Sequence, residues 1–462
     1  MLIDGSDLHP PFTHWLSHLW LSLFGESEWA LRSIWAFVGV LILALTYRLG
    51  ATLSSRSTGL LGATLLATLS TFLLYTRFVK YYAFAMLMAV ALFLVFFRIY
   101  YQRMKRLLAV YVILLTAFLY ADYFGPAACV LWQDLFLFIR SLRHRTRREW
   151  SFLLLVVGAQ ALAGLLWIPW VNYAFLQTHR VFSMKDADIG RGFFSFALKI
   201  AHAFYSFSLG ETLFPWQLAA LLGLAGALGA LMAAVIVAYR NSCRLALWMG
   251  SFSLFSISLV AGLTSSLITG VPFIAFANHV IFTLPFFLLW LSSGIVALRP
   301  LFKWLLISSF LIAHVVGLVN YFTGREFHNP IYVVPTREIV TCLAEEVGQE
   351  EVVIAADDTG IAFYASRTAG WTAPVFSASD KPAIEEFLRT KQPPRVWLFI
   401  FGRDRTRAVT PTALQEWIEG RYLLVELRGY AEQDAVYRRI KELLFRRPAY
   451  LHKLTLYVYE SL

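Results

Sequence analysis

Acidic and histidine side chains stand close together at the start of the chain. Asp4, Asp7 and His9 precede the dipeptide Pro10-Pro11, and an amphipathic helix is predicted to begin near Phe12. A carboxylate accepts a proton or binds a divalent metal, and a histidine donates hydrogen bonds to phosphate. Asp7 also suits the N-cap of a helix that begins at the prolines, and this structural role is compatible with a chemical one.

Basic residues mark a second polar stretch, between two apolar segments. Arg77 and Lys80 stand beside Tyr82, at the end of a predicted span that faces the external side. Positive charges are unusual on that side of a membrane and therefore require a reason. The phosphate of a lipid-linked substrate would supply it. The alternative is that both side chains extend to the lipid head groups.

Two further polar positions interrupt apolar sequence. Asp122 lies between Tyr120 and Phe124, and an ionisable residue within a span is a candidate for function. We expect a metal or proton role for Asp122, with a plain external turn as the alternative. His279 begins an apolar stretch, where it either faces a phosphate or simply lies at the membrane interface.

The composition is that of a membrane protein. Of the 462 residues, 58% are hydrophobic and 15% are charged, whereas soluble domains contain about 25% charged residues. The mean hydropathy is +0.62. The net charge of +11 is concentrated in short loops between apolar segments, which is typical of a membrane protein and argues against nucleic-acid binding. The three cysteines predict neither a disulfide framework nor a thiolate metal site.

Apolar segments predict a polytopic α-helical membrane protein with about ten spans. They cover about residues 29–47, 59–76, 83–101, 107–121, 123–139, 151–170, 214–239, 245–263, 273–297 and 304–322. Alternate loops carry the basic residues and are therefore predicted to be cytoplasmic, so both termini lie outside a multi-pass protein of the inner or plasma membrane. A long external loop is predicted over 171–213, either as a lid over a substrate or as a plain connection.

The last part of the chain changes character. Charge rises after residue 322, and four strand-like segments alternate with helical patterns. The segments are 352–356, 395–401, 423–427 and 454–459. This pattern predicts a soluble external α/β domain over 323–462. Within the membrane part, Gly223, Gly226 and Gly229 predict a notch where two helices approach closely.

The opening motif resembles the first external loop of the GT-C glycosyltransferases, which include the protein O-mannosyltransferases and the lipid A aminoarabinose transferases. The resemblance rests on Asp7-x-His9-Pro10-Pro11-Phe12, on Glu28-x-Ala30-Leu31-Arg32 and, more weakly, on the stretch 75–83. It implies a GT-C-like membrane domain over 1–322. It also implies transfer of a sugar from a polyprenyl-phosphate donor to a glycan, lipid or protein acceptor at the external face of the cell envelope, by single displacement.

The resemblance also implies roles for individual residues. Asp7, with Asp4, would deprotonate the acceptor. Lys80 stands at the family's arginine position, and lysine binds phosphate as a point charge without arginine's bidentate fork. Asn278 replaces another family arginine. A divalent metal is expected at Asp7 and Asp122, and no other cofactor. The residues expected to bind the donor phosphate are His9, Arg77, Lys80, Tyr82 and His279.

One departure from the family pattern leaves other functions open. The family carries an additional span and an acidic pair before the motif, whereas Asp4 is the only other acid near Asp7. We expect a coding start further upstream. The alternatives are that Asp4 and Asp7 replace the pair, or that the protein is an inactive membrane binding or scaffold protein. A lipid or sugar transporter is a further alternative, and the scarcity of charges within the spans argues against it.

Overall fold

The chain forms two units, Met1–Arg325 and Glu326–Leu462, in a computed structural model. The structure describes residues 10–183, 192–240, 244–266, 276–355, 360–402, 412–445 and 450–461. Asp4, Asp7 and His9 lie outside the described residues. The first unit is helical and the second contains a β-sheet.

In the part that the structure describes, the first unit is built from the helices α1 to α14. They are α1 (Phe12–Phe24), α2 (Glu28–Leu53), α3 (Arg56–Thr68), α4 (Ser70–Arg77), α5 (Tyr82–Gln102), α6 (Leu108–Leu119), α7 (Phe124–His144), α8 (Arg147–Ser183), α9 (Gly192–Leu209), α10 (Leu218–Tyr239), α11 (Arg244–Ser266), α12 (Phe276–His279), α13 (Leu284–Ala297) and α14 (Pro300–Thr323). Short 3-10 turns cover Lys105–Leu107 and Ile281–Thr283.

Six of the described helices are long and apolar enough to cross a membrane. They are α2, α5, the part Arg147–Ala174 of α8, α10, the part Ala246–Ser266 of α11, and α14. A seventh span is possible if α3 and α4, which are bent by 66° at their junction, count as one. The prediction of a polytopic α-helical membrane protein is therefore confirmed.

Of the other four predicted spans, 59–76 forms the bent pair α3 and α4, and the remaining three correspond to helices outside this set. The segment 107–121 forms α6, whose 12 residues extend about 18 Å at 1.5 Å per residue, less than the roughly 30 Å of hydrocarbon. The segment 123–139 lies within α7, which is amphipathic. Part of 273–297 lies outside the described residues, and the rest is divided between α12, a 3-10 turn and α13.

The loop predicted over 171–213 is mostly helical, so that prediction was wrong in its conformation. Helix α8 continues to Ser183 with Pro169 inside it, and α9 covers Gly192–Leu209. Proline is tolerated within membrane helices because neighbouring groups satisfy the freed backbone atoms. The loop prediction relied on the polar stretch 180–191, and most of that stretch lies outside the described residues.

Helix α10 approaches α14 through a row of glycines. A Cβ atom added at Gly223 would lie 2.5 Å from a methyl carbon of Leu209 and 2.7 Å from the Cβ of Ala313. At Gly229 it would lie 3.2 Å from Leu306. Glycine removes the side chain that would hold the helices apart. The predicted notch is confirmed.

Replacing Gly223 by valine should destabilise the helical unit. The added side chain overpacks the contact with Leu209 and Ala313, at a cost of about 1–3 kcal/mol. Thermal unfolding of the purified protein in detergent measures the loss. Gly158→Val is the matched control, because nothing lies within 4 Å of a Cβ at Gly158. Equal melting temperatures for the two variants would contradict the assigned contact.

The second unit is an α/β arrangement with helices on both faces of a five-stranded sheet. Its strands are β1 (Val352–Ala355), β2 (Val375–Ser377), β3 (Arg395–Phe401), β4 (Tyr422–Glu432) and β5 (His452–Ser461), in the order β2-β1-β3-β5-β4. β1 pairs in parallel with β2 and β3, and β5 pairs antiparallel with β3 and β4. Its described helices are α15 (Thr336–Glu346), α16 (Ile361–Ala365), α17 (Lys381–Lys391), α18 (Thr412–Glu419) and α19 (Ala435–Phe445).

Apolar residues cover the two faces of this sheet in separate clusters. Ile339 of α15 and Ile361 of α16 pack on one face, and Ile384 of α17 and Ile418 of α18 pack on the other. The four strands predicted from the sequence are present. The fifth strand, β2, has three residues that are only half-buried, so its apolar alternation is too short to detect.

Candidate functional site

The structure describes the opening motif from Pro10 onward, and this part lies where α1 meets α5 and α6. The Phe12 amide donates a hydrogen bond of 3.0 Å to the carbonyl oxygen of Tyr120, directly after α6. The Phe12 ring packs edge-on against Phe84 of α5, with 5.5 Å between the ring centroids. Pro10 and Pro11 are buried. The chain therefore leads from the motif into the end of the unit where α5 begins.

Asp122 lies just beyond Tyr120 and caps the start of α7. Its Oδ2 accepts a hydrogen bond of 2.8 Å from the Gly125 amide, and its Oδ1 accepts one of 3.3 Å from the Phe124 amide. The residue is buried. A carboxylate that accepts backbone hydrogen bonds at a helix start is explained by capping. This geometry favours the turn over the metal role that the sequence suggested.

The structure offers no set of metal ligands within the residues it describes. No group of three histidine, cysteine, aspartate or glutamate side chains is arranged there to hold an ion. Both oxygens of Asp122 face backbone amides. Asp7, the other expected ligand, lies outside the described residues. The described residues therefore do not fit the expected metal.

Arg77 and Lys80 flank the turn that joins α4 to α5. The Arg77 guanidinium lies 5.3 Å from the ring centroid of Tyr321 on α14. The indole nitrogen of Trp35 on α2 donates a hydrogen bond of 2.8 Å to the backbone oxygen of Lys80. The Lys80 ammonium lies 5.8 Å from the Phe78 ring. The backbone of this turn is thus anchored to α2, and the Lys80 side chain is half-buried.

Tyr82 begins α5 and is buried among other polar aromatic residues. Its hydroxyl accepts a hydrogen bond of 3.3 Å from the side-chain amide of Asn278 on α12. The ring lies edge-on to Tyr75, at 5.0 Å between centroids. His279 follows Asn278, and its ring lies 5.8 Å from that of Phe124, beside Asp122. The structure therefore brings Tyr82, His279 and Asp122 to the same end of the unit.

A buried carboxylate that the sequence analysis did not assign to the site lies next to these tyrosines. Glu211, in the connection between α9 and α10, is 1% exposed. Tyr75 donates to its two oxygens at 3.1 and 3.2 Å, and Ser206 donates at 2.9 Å. Burial raises the pKa of Glu211 to about 7, and the hydrogen bonds from Ser206 and Tyr75 lower that pKa in part. A carboxyl group with this pKa exchanges protons near neutral pH.

The connection that carries Glu211 is locked against the bend between α3 and α4. Thr212 donates a hydrogen bond of 2.7 Å to the Gly317 carbonyl oxygen, and its hydroxyl oxygen lies at hydrogen-bond distance, 2.8 Å, from that of Ser70. Gly210 has a φ of 97°, a conformation that favours glycine. A Cβ there would also collide with the Ser70 side chain. A glycine directly before an acid, between two apolar segments, is the signal from which the sequence could have found this turn.

Replacing Glu211 by glutamine should change how stability depends on pH. Between pH 4.5 and about 7 the folded protein keeps the proton of Glu211, whereas the unfolded chain has already released it. The contribution of Glu211 to the free energy of unfolding is therefore fully present below pH 4.5. About 3 kcal/mol of it is lost as the pH rises through 7. Glu211→Gln should melt higher than the wild type at pH 8, and the difference should shrink towards pH 5.

Thermal unfolding in detergent across this pH range measures the effect. Glu26→Gln is the control, because Glu26 is an exposed acid of the same unit. A pH-independent difference between Glu211→Gln and the wild type would show that Glu211 is ionised throughout.

Part of the sequence matches the model of a known protein family. Residues 8–170 match the family model described as dolichyl-phosphate-mannose-protein mannosyltransferase. The crystal structure of ArnT from Cupriavidus metallidurans in the apo state is similar over 97% of this chain and 87% of that chain, with a TM-score of 0.57 and 11% identity. The fold is therefore that of the GT-C superfamily, and the sequence match to the family model covers residues 8–170. Homologues in this superfamily are glycosyltransferases.

A second structure of the same protein gives an equivalent match. ArnT from Cupriavidus metallidurans bound to undecaprenyl phosphate has a TM-score of 0.57 and 10% identity, over 98% of this chain and 87% of that chain. At such identities the likeness establishes the GT-C fold and not the substrate. No curated protein sequence is significantly similar to the chain. The predicted fold class is thereby confirmed, and the family match over residues 8–170 supports the predicted superfamily, whereas the predicted roles of the site residues stay predictions.

Proposed function

We propose that this GT-C protein transfers a sugar from a polyprenyl-phosphate donor to a glycan, lipid or protein acceptor at the external membrane face. The observation that carries the proposal is the cluster of Tyr75, Tyr82, Asn278 and Glu211, which lies where the opening motif meets α5. Arg77 and Lys80 stand at the same turn. The likeness to a protein crystallised with undecaprenyl phosphate supports a lipid-phosphate donor.

In the proposed reaction an acceptor hydroxyl attacks the anomeric carbon of the sugar. The new glycosidic bond forms as the bond from that carbon to the phosphate oxygen breaks, and the anomeric configuration inverts. Asp7, with Asp4 as its alternative, takes the acceptor proton. The electron pair of the broken bond stays on the phosphate oxygen, which leaves as polyprenyl phosphate, and the charge of this phosphate is stabilised by Lys80, Arg77 and His9.

Tyr82 supplies a neutral hydrogen bond to the same phosphate in this proposal. A phenol has one donor hydrogen, and because Tyr82 accepts from Asn278 its own hydrogen is free to point at a phosphate oxygen. Glu211 holds Tyr75, and Tyr75 packs against the Tyr82 ring. His279 lies beside Asn278 and completes the side of the proposed phosphate site that Tyr82 forms.

Lys80→Ala should lower sugar transfer by about a hundredfold, which is the usual loss when one stabilising charge is removed from a transition state. Lys80→Arg should retain more activity than Lys80→Ala because it keeps the charge. The assay measures release of polyprenyl phosphate from a panel of labelled polyprenyl-phosphate sugars in membranes. Lys105→Ala is the matched control, since Lys105 lies in the turn after the opposite end of α5.

Near-normal sugar transfer by Lys80→Ala would contradict the assignment of Lys80 to the donor phosphate. The assay also separates the alternative functions. A wild-type protein that binds undecaprenyl phosphate and turns over no donor is a binding or scaffold protein. Movement of intact donor across the membrane without release of polyprenyl phosphate would identify a transporter.

We further propose that the second unit lies on the external side. The free thiol of Cys342 on α15 is exposed and serves as a natural probe. In intact cells of a Cys243→Ser variant, a membrane-impermeant maleimide should label the protein, and Cys342→Ser should abolish that labelling. The buried Cys129 is the internal control. Labelling only after the cells are broken would place the unit in the cytoplasm.

A further inference from the structure

Arg98 lies inside the membrane-spanning helix α5, one turn before its end at Gln102. Its side chain is half-buried. Within the residues that the structure describes, its guanidinium has no hydrogen bond or ion pair with another side chain or with the backbone. A charge within a span normally pairs with another group or lines a polar cavity. Arg98 therefore calls for an anionic partner that the described chain does not supply.

A cavity of about 240 Å³ opens beside Arg98, between α5 and α2. The α5 residues that line it recur at the spacing of one helical face, and so do those of α2. The lining residues are Leu94, Phe97, Arg98, Tyr101 and Gln102 of α5, with Leu49, Thr52 and Leu53 of α2. None of them is acidic. The cavity thus combines one positive charge with a largely apolar wall.

We propose that this cavity binds the phosphate group of an anionic membrane lipid. The guanidinium fork of Arg98 matches two phosphate oxygens. Thr52 and Gln102 add a hydroxyl and an amide at the helix ends, where a head group would lie. Leu53 is half-buried and Tyr101 is exposed, and both offer apolar contact to the first methylenes of an acyl chain. Basic pockets between membrane helices bind lipid head groups in this way.

The neighbouring basic residue does not take part in this site. Arg103 follows α5, but its guanidinium packs on the rings of Tyr100 and Phe152, at 5.8 and 5.3 Å, and it does not line the cavity. The loop that contains Arg103 is predicted from the sequence to be cytoplasmic, and that leaflet carries anionic lipids. A lipid head group is therefore a more suitable occupant than an acidic peptide, which would not match the apolar wall.

This site is separate from the proposed transferase site. Tyr82 and Arg98 are 16 positions apart on α5, which corresponds to about 24 Å along the helix. The cavity therefore does not serve as the donor-phosphate site, and the lipid proposal does not depend on sugar transfer. Its test requires only lipid binding.

Native mass spectrometry of the full-length protein from detergent measures the retained lipid directly. The probes are phosphatidylglycerol, phosphatidylcholine with the same acyl chains, and inorganic phosphate. The wild type should retain phosphatidylglycerol in preference to phosphatidylcholine. Arg98→Gln should weaken that retention about tenfold, the usual order for one charge-assisted contact. Arg48→Gln is the matched control, since Arg48 is an exposed residue of α2 that does not line the cavity.

A second variant distinguishes a built site from an arginine that merely reaches the head groups. Leu53→Trp keeps Arg98 but fills the cavity, so it should also lose phosphatidylglycerol. Normal retention by Leu53→Trp, or by Arg98→Gln, would overturn the proposal. Displacement of the lipid by millimolar inorganic phosphate would reassign the site to a soluble anion and overturn it as well. Arg98→Met, which keeps the apolar stem and removes the charge, replaces Arg98→Gln in this comparison if the latter does not fold.

Discussion

The burial of one carboxylate constrains how the helices around it pack. Glu211 is almost fully removed from solvent and is held by hydroxyl groups of Tyr75 and Ser206. Removing a carboxyl group from water is unfavourable unless hydrogen bonds replace the lost hydration. Those hydrogen bonds come from α4 and α9, so the connection after α9 must approach α4 closely.

The bend between α3 and α4 follows from the same constraint. Ser70 is the first residue of α4, directly after the 66° break, and its hydroxyl contacts that of Thr212 in the adjacent turn. Gly210 permits the approach through its positive φ. The bend in turn places Tyr75 beside Tyr82, and Tyr82 beside Asn278. The polar cluster is therefore a consequence of backbone geometry as much as of residue type.

The sequence predicted the elements that hydrophobic periodicity determines and missed those that depend on tertiary neighbours. Helices α2, α5 and α10, and strands β3 and β5, follow from runs of apolar residues. The Gly223 notch was predictable because small residues at such spacing have one common use in membranes. Glu211 was not assigned to the site because its partner Tyr75 is 136 residues away. No sequence pattern shows that the oxygens of Asp122 face two backbone amides, so its contacts could not be predicted.

The hydrogen bonds of Thr212 set an order on the assembly of the unit. One partner, Ser70, is made 142 residues before Thr212, and the other, Gly317, is made 105 residues after it. Synthesis adds roughly 5–20 residues per second, so Gly317 follows Thr212 by about 5–20 s. During that interval α3, α4 and α9 are already made while α14 is not. The hydrogen bond from Thr212 to Gly317 therefore forms only after α14 is made, and a ribosome that stalls before α14 leaves this carbonyl contact of the turn unfinished.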